Sequence, residues 1–267
     1  MPPFEIRRAV QERNGAKKTL EDALVVEEPL EIRLDGRRYT ATMRTPGDDF
    51  LLAQGLLFSE GVIENLEDIE KLESGARCRE LSDELVSLVN VVLHDASLVA
   101  PHLWERSLIS NSSCGLCGKA SVEAISARFA PLVPAPLNLE VLRDLPAKMR
   151  PHQKLFDQTG GCHAAALFDS NGGLLCCFED IGRHNATDKA IGFGLENGFV
   201  PATESLILLV SGRASFEIIQ KALVARIGTV CSVSAASSLA VDLAARNGLN
   251  LVGFLRERSL TVYCGEL

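Results

Sequence analysis

Ser205-Leu-Ile-Leu-Leu-Val-Ser-Gly-Arg-Ala-Ser-Phe-Glu217 sets the architecture. Strand Ser205–Val210 is a continuous apolar run, which suits a strand buried on both faces. Ser211-Gly-Arg is a short turn, and Ser215–Ile227 then reads as a helix. Strand, turn and helix repeat downstream: strand Thr229–Ser234, helix Ser237–Arg246 ending at Gly248, then strands Leu249–Leu255 and Leu260–Cys264. Upstream, strand His163–Asp169 turns at Ser170-Asn-Gly-Gly into strand Leu174–Glu179, and a helix follows over Thr187–Glu196. This alternation predicts an α/β sheet with helices on its faces.

Further toward the N-terminus the pattern changes. Leu30, Ile32 and Leu34 alternate with charged residues, Asp35–Gly36 marks a tight turn, and Tyr39, Ala41 and Met43 alternate on the return. Thr45-Pro-Gly-Asp-Asp49 reads as a helix start, with Thr45 as cap and Pro46 in the first position. That helix runs to about Ser59. Acidic Glu64–Glu73 reads as a solvated loop or helix, and Leu85–His94 as another strand. Together these predict a small α/β roll of β-grasp-like form. Pro131, Pro134 and Pro136 mark a hinge, and Asn138 can cap a helix over Leu139–Met149. The expected units are residues 1–110 (the roll), 111–137 (a cysteine-motif loop, a helix and the hinge) and 138–267 (the layered α/β lobe).

Hydrophobic residues make up 46% of the 267, enough for a full core. The net charge of −8 argues against general nucleic-acid binding, which needs a basic surface, but leaves room for a local basic pocket. No apolar run approaches the roughly 18 residues of a membrane span. Met1–Gln11 has no signal-peptide core, so a cytoplasmic location is expected. Of eight cysteines, Cys176, Cys177 and Cys231 sit in apolar runs and read as core.

The chemistry points to Asn111-Ser-Ser-Cys114-Gly-Leu-Cys117-Gly118. Two cysteines three positions apart can share one side of a turn, and the glycines free its backbone. A helix beginning near Gly118 would place its N-terminal amides by the thiols and favour the thiolate, the nucleophile of sulfur chemistry. The spacing alone also suits half a zinc site, a thioredoxin-like redox pair or a buried inert pair. Zinc usually takes a second such pair, and none is present.

Two loops preceding helices, Gly182-Arg183-His184-Asn185 and Ser211-Gly212-Arg213, offer amides and guanidinium groups to a phosphate. Asn185 and Ser211 read equally as cap or turn residues. His163 reads equally as a semi-buried structural histidine, and Asp157 and Asp180 as turn residues or as groups that orient donors.

Ser112-Ser-Cys-Gly-Leu-Cys-Gly118 resembles the signature of the FdhD family of formate dehydrogenase accessory sulfurtransferases. Thr159-Gly-Gly-Cys-His-Ala-Ala165, Glu179-Asp-Ile-Gly-Arg-His-Asn-Ala186, Ser211-Gly-Arg-Ala-Ser-Phe-Glu217 and Gly253-Phe-Leu-Arg256 agree in order. The resemblance runs from about residue 20 to near the end. It implies that Cys114 receives sulfur from a cysteine desulfurase as a persulfide, with Cys117 assisting. The acceptor it implies is a bis-molybdopterin guanine dinucleotide cofactor, on the way to formate dehydrogenase. The family's cofactor-binding stretch maps onto Phe254-Leu255-Arg256-Glu257-Arg258-Ser259. Arg183, His184 and Arg213 would add phosphate contacts. The resemblance further implies a homodimer, no metal ion held by the protein itself, and a C-terminal lobe similar to the cytidine deaminase fold.

That likeness raises a zinc deaminase as a rival. The deaminase signature is H-x-E…P-C-x-x-C. His163-Ala-Ala165 and His184-Asn-Ala186 both lack the glutamate, and the cysteine pair precedes both histidines. A further alternative is a chaperone that binds the cofactor without transferring sulfur.

Overall fold

A computed structural model describes residues 2–79, 82–95, 131–133 and 135–266. Cys114, Cys117 and the helix expected over 120–129 lie outside the described residues. The fold is mixed α/β, as the sequence predicts, with three sheets among the described residues.

Strands β3 (Glu28–Leu34), β4 (Arg37–Arg44), β5 (Ile69–Arg79) and β6 (Ser82–Leu93) form a four-stranded sheet in the order β4-β3-β6-β5. Two hairpins flank a parallel central pair, β3 and β6, which gives the β-grasp-like arrangement. Helix α1 (Asp49–Ser59) packs on this sheet, and every residue from Leu52 to Ser59 is buried. A helix apolar all round must be covered on all sides. A six-stranded sheet has the order β12-β11-β10-β9-β7-β8. Its strands are β7 (His163–Asp169), β8 (Leu174–Asp180), β9 (Leu206–Val210), β10 (Thr229–Ser232), β11 (Asn250–Gly253) and β12 (Thr261–Cys264). β9, β10 and β11 run parallel; β7, β8 and β12 pair antiparallel.

Side-chain alternation splits the core around this sheet. Ala165, Leu167, Leu208, Val210 and Val230 face α1 and helices α4 (Arg183–Glu196), α5 (Phe216–Val224) and α6 (Ser238–Arg246). Ala164, Ala166, Phe168, Leu209 and Cys231 face helix α2 (Leu139–Met149) through Leu142, Leu145 and Met149. Asn138 caps α2 as expected, its side chain accepting from Glu140 and Val141 amides. Cys176 and Cys231 are buried and Cys177 is half-buried.

Helices α1 and α4 cross at two glycines. A Cβ on Gly55 would fall on the Asp188 carbonyl, and one on Gly192 on the Leu51 carbonyl. Side chains at these positions would push the backbones apart, so glycine is required. Asp188 is buried beside the crossing; it accepts from Ser59 Oγ at 3.2 Å and pairs with Lys221 of α5 at 2.7 Å.

Several expectations need correction. Acidic Glu64–Glu73 is only partly a loop: Asn65 caps a short 3-10 turn at Leu66–Asp68, and Ile69 already begins β5. Thr45 does not cap α1; the helix starts at Asp49, so Pro46 lies outside it. Helix α4 starts at Arg183 rather than Thr187, which puts Asn185 inside the helix. A hairpin of β1 (Phe4–Arg13) and β2 (Ala16–Val25), and a short helix α3 (Lys154–Thr159), had no counterpart in the sequence reading.

Candidate functional site

The strand registers bring the proposed binding residues to one edge of the six-stranded sheet. β9, β10 and β11 end there at Val210, Ser232 and Gly253. Asp180, the last residue of β8, pairs with His163, the first of β7, and Gly253 pairs with Thr261. The turns at 181–182, 211–215, 233–237 and 254–260 therefore share one rim. Such a rim, beyond the carboxyl ends of parallel strands, is where open α/β sheets take ligands.

Main-chain hydrogen bonds lock these turns together. Ala214 donates to Ala235 at 3.0 Å and Ser237 to Ala214 at 3.1 Å. Phe254 donates to Ser234 at 2.9 Å and Leu255 to Ser232 at 3.0 Å. Ser232 Oγ donates to the Gly212 carbonyl at 2.7 Å. A Cβ on Gly212 would stand 3.3 Å from His163 Nδ1 and 3.4 Å from Arg183 Cβ. This close approach brings three separate segments into one cluster.

Arg183 is the first residue of α4, after Gly182 as N-cap. No side chain caps this end, and no acidic residue occupies its first turn. The positive end of the helix thus carries an arginine, with the carboxylates of Asp180 and Glu217 nearby, and a helix end of this kind favours anions. Arg183 Nε and His184 Nδ1 are buried and have no hydrogen-bond partner among the described residues. Buried polar atoms are otherwise almost always paired, so these two ask for a partner. Burial, with Arg183 and Lys221 beside it, pushes His184 down to about 4. Near neutral pH it is therefore an uncharged hydrogen-bonding group.

His163 joins the cluster, although its sequence context left it open. Ser211 Oγ accepts the Ala164 amide at 2.9 Å and lies 3.5 Å from His163 Nδ1. Ser211 thus braces the start of β7 instead of capping a helix. Burial and the charges of Arg183 and Arg213 lower the His163 pKa. Arg213 is exposed on the turn after β9.

Along the 254–259 stretch the residues divide. Phe254 has φ 50°, and the residue is 46% exposed. A left-handed non-glycine residue costs about 1–3 kcal/mol, so the turn holds an aromatic face outward against its conformational preference. Leu255 is different: its side chain is fully buried in the core beneath α2, so it anchors the turn and cannot present that side chain to a ligand. Arg256 bonds the carbonyls of Val233 and Leu255, and its amide donates to Ser259 O at 2.8 Å. Its guanidinium braces the turn while lying exposed. Glu257, Arg258 and Ser259 are exposed. Four arginines and one aromatic ring can thus meet a phosphate-bearing, planar ligand.

Three acids have structural tasks. Asp157 pairs with Arg150 on the surface. Asp180 is fully buried and binds the turn before α4. Glu179, which the sequence left unassigned, accepts from the Leu155 and Phe156 amides at 2.8 Å and from Cys162 Sγ at 3.2 Å. Burial and Glu179 push the Cys162 thiol up to about 12; burial does the same to Cys176, Cys177 and Cys231. These four are protonated at physiological pH and make poor nucleophiles.

Fold and rim together define a mixed α/β protein with an arginine-lined sheet edge. The chain belongs to the FdhD/NarQ family, whose model matches residues 25–267. It is 49% identical to the sulfur carrier protein FdhD of Streptomyces coelicolor over 265 residues, covering 98% of this chain and 94% of the relative. To the Mycobacterium tuberculosis protein of the same name it is 48% identical over 254 residues, covering 92% and 91%. A crystal structure assigned to a formate dehydrogenase accessory protein from Desulfotalea psychrophila matches with a TM-score of 0.75. That match has 24% identity and covers 98% of this chain and 97% of the other, and it establishes likeness of fold.

Proposed function

We propose that this chain is a cytoplasmic sulfur carrier that accepts sulfur from a cysteine desulfurase and passes it to a bis-molybdopterin guanine dinucleotide cofactor destined for formate dehydrogenase. The observation that carries the reading is the convergence of Arg183, Arg213, Arg256, Arg258 and Phe254 on one sheet rim, with Arg183 Nε unpartnered among the described residues. An anionic dinucleotide supplies what this rim lacks: phosphate oxygens for the arginines and a flat base for Phe254. The near full-length likeness to proteins named as sulfur carriers supports the transfer step.

In this reading Cys114 and Cys117 carry the chemistry. The Cys114 thiolate attacks the outer sulfur of the desulfurase persulfide; a new S–S bond forms, and the donor cysteine leaves as thiolate. An acceptor on the cofactor, bound as substrate, supplies the electron pair for a new bond to the outer sulfur, while the S–S bond breaks and its pair returns to Cys114 as thiolate. The protonated thiols of Cys162, Cys176, Cys177 and Cys231 do not compete for the incoming sulfur. The carrier acts as a homodimer. A chaperone that binds the cofactor without moving sulfur would use the same rim, and the thiols separate the two readings.

The test is mass spectrometry of the protein after incubation with a desulfurase and cysteine. One added sulfur on Cys114, lost in Cys114→Ala together with formate dehydrogenase activation, is the expected result. Full activation by Cys114→Ala would sink sulfur transfer and leave the chaperone reading.

A further inference from the structure

The turn that presents Arg183 and His184 is tied to the four-stranded sheet, and the tie is selective. Asp180 Oδ1 accepts from the Gly182 amide at 2.8 Å and from Asn185 Nδ2 at 3.1 Å. Its Oδ2 accepts from the Thr45 amide at 3.2 Å and pairs with Lys189 Nζ at 2.8 Å. Thr45, which follows β4, uses every polar group it has: its carbonyl accepts from Lys189 at 3.1 Å and its Oγ1 accepts from the Ile181 amide at 3.0 Å. Asn185 Nδ2 also donates to the Met43 carbonyl at 2.7 Å, and Thr42 Oγ1 donates to Asn185 Oδ1 at 3.2 Å.

Residues 180, 181, 182 and 185 are thus bonded to residues 42–45 or to each other. Residues 183 and 184 between them keep buried nitrogens with no partner among the described residues. A network serving stability alone gains by pairing every buried polar atom, because each one left open costs about 1–3 kcal/mol. This one fixes the flanks and leaves the two middle side chains open toward the rim.

We propose that Thr45 is a positioning residue that acts through Arg183: by holding Asp180, Ile181 and Lys189 it sets the Arg183–His184 turn for a nucleotide phosphate at the sheet rim. The proposal rests on the reading of that rim as a guanine-nucleotide site. Thr45 touches no ligand itself. Its influence crosses from one sheet to the other through two short segments whose backbones are fixed against each other.

The experiment measures guanosine diphosphate binding to the full chain by calorimetry, with thermal midpoints taken alongside. Thr45→Val keeps the shape and removes the acceptor for the Ile181 amide. We expect it to weaken binding about fivefold, Thr45→Ser to stay within about twofold of the parent, and Thr45→Val on an Arg183→Ala background to change affinity by less than about twofold. Parent-like affinity in Thr45→Val, or an equal loss with and without Arg183, overturns the proposal. If Thr45→Val does not fold, Thr42→Val, which removes the donor to Asn185, carries the same cycle with the same criteria. Failure of the underlying reading looks different. In that case Arg183→Ala binds the nucleotide as the parent does, or the parent binds none, and the positioning claim falls with it.

Discussion

Individual side chains at the rim separate into those that touch solvent and those that hold the others. Arg258 is exposed, whereas Arg256 spends hydrogen bonds on the carbonyls of Val233 and Leu255. Arg258→Ala should therefore weaken guanosine diphosphate binding about tenfold with an unchanged thermal midpoint, since a charge-assisted phosphate contact is lost and nothing else. Arg256→Ala should lower both affinity and midpoint; calorimetry of the two variants checks the contrast. His184 gives a pH signature. Its folded pKa, about 4, lies below the ordinary 6.5, so the unfolded chain binds more protons between these values. Stability from this group is full above pH 6.5 and is lost as pH falls toward 4, on the order of 3 kcal/mol in all. Urea midpoints measured across that window should fall less steeply in His184→Gln. The thiols give a third expectation. With Cys162 held protonated at its carboxylate partner, Cys162→Ala should load sulfur as the parent does, and iodoacetamide at pH 8 should leave Cys162 and Cys231 unmodified in mass spectra.

Among the elements, the α1–α4 crossing makes the sharpest demand. Gly192→Ala places a methyl group on a backbone carbonyl and should cost about 3 kcal/mol or more, read as a lower thermal midpoint. The sequence showed α1, β7 to β11 and the helices between them, because their apolar patterns report burial directly. It was silent where burial is not patterned. β1 and β2 are exposed along most of their length and alternate charge with apolar residues on both faces, so no buried stripe marks them. β5 lies at the end of its sheet, where acidic residues stay solvated and imitate a loop. Thr45 and Asn185 read as caps because serine-like and amide side chains usually serve their own helix; here each serves a segment more than 130 residues away. The rim was legible residue by residue in Arg183, His184, Arg213 and 254–259. The braces Glu179 and Ser211, and the tie of Asp180 to Thr45, join partners distant in sequence, and no local spacing announces those.

For the whole molecule, the net charge of −8 and the arginine-lined rim oppose one another. Nucleotide affinity at the rim should therefore fall with added salt, because partly exposed arginine contacts are screened. Titrations at low and physiological ionic strength test this. The glycine crossing of α1 and α4 has a consequence for folding. Gly55 and Gly192 let two backbones meet directly, with Asp188 and Lys221 sealed beside them. One apolar cluster runs from Leu30 and Ile32 through α1 to Leu208 and Val230. Neither half can melt without stripping the other of its cover. Calorimetry should accordingly show one cooperative endotherm, with no plateau in which the arginine-lined rim persists after the four-stranded sheet has gone.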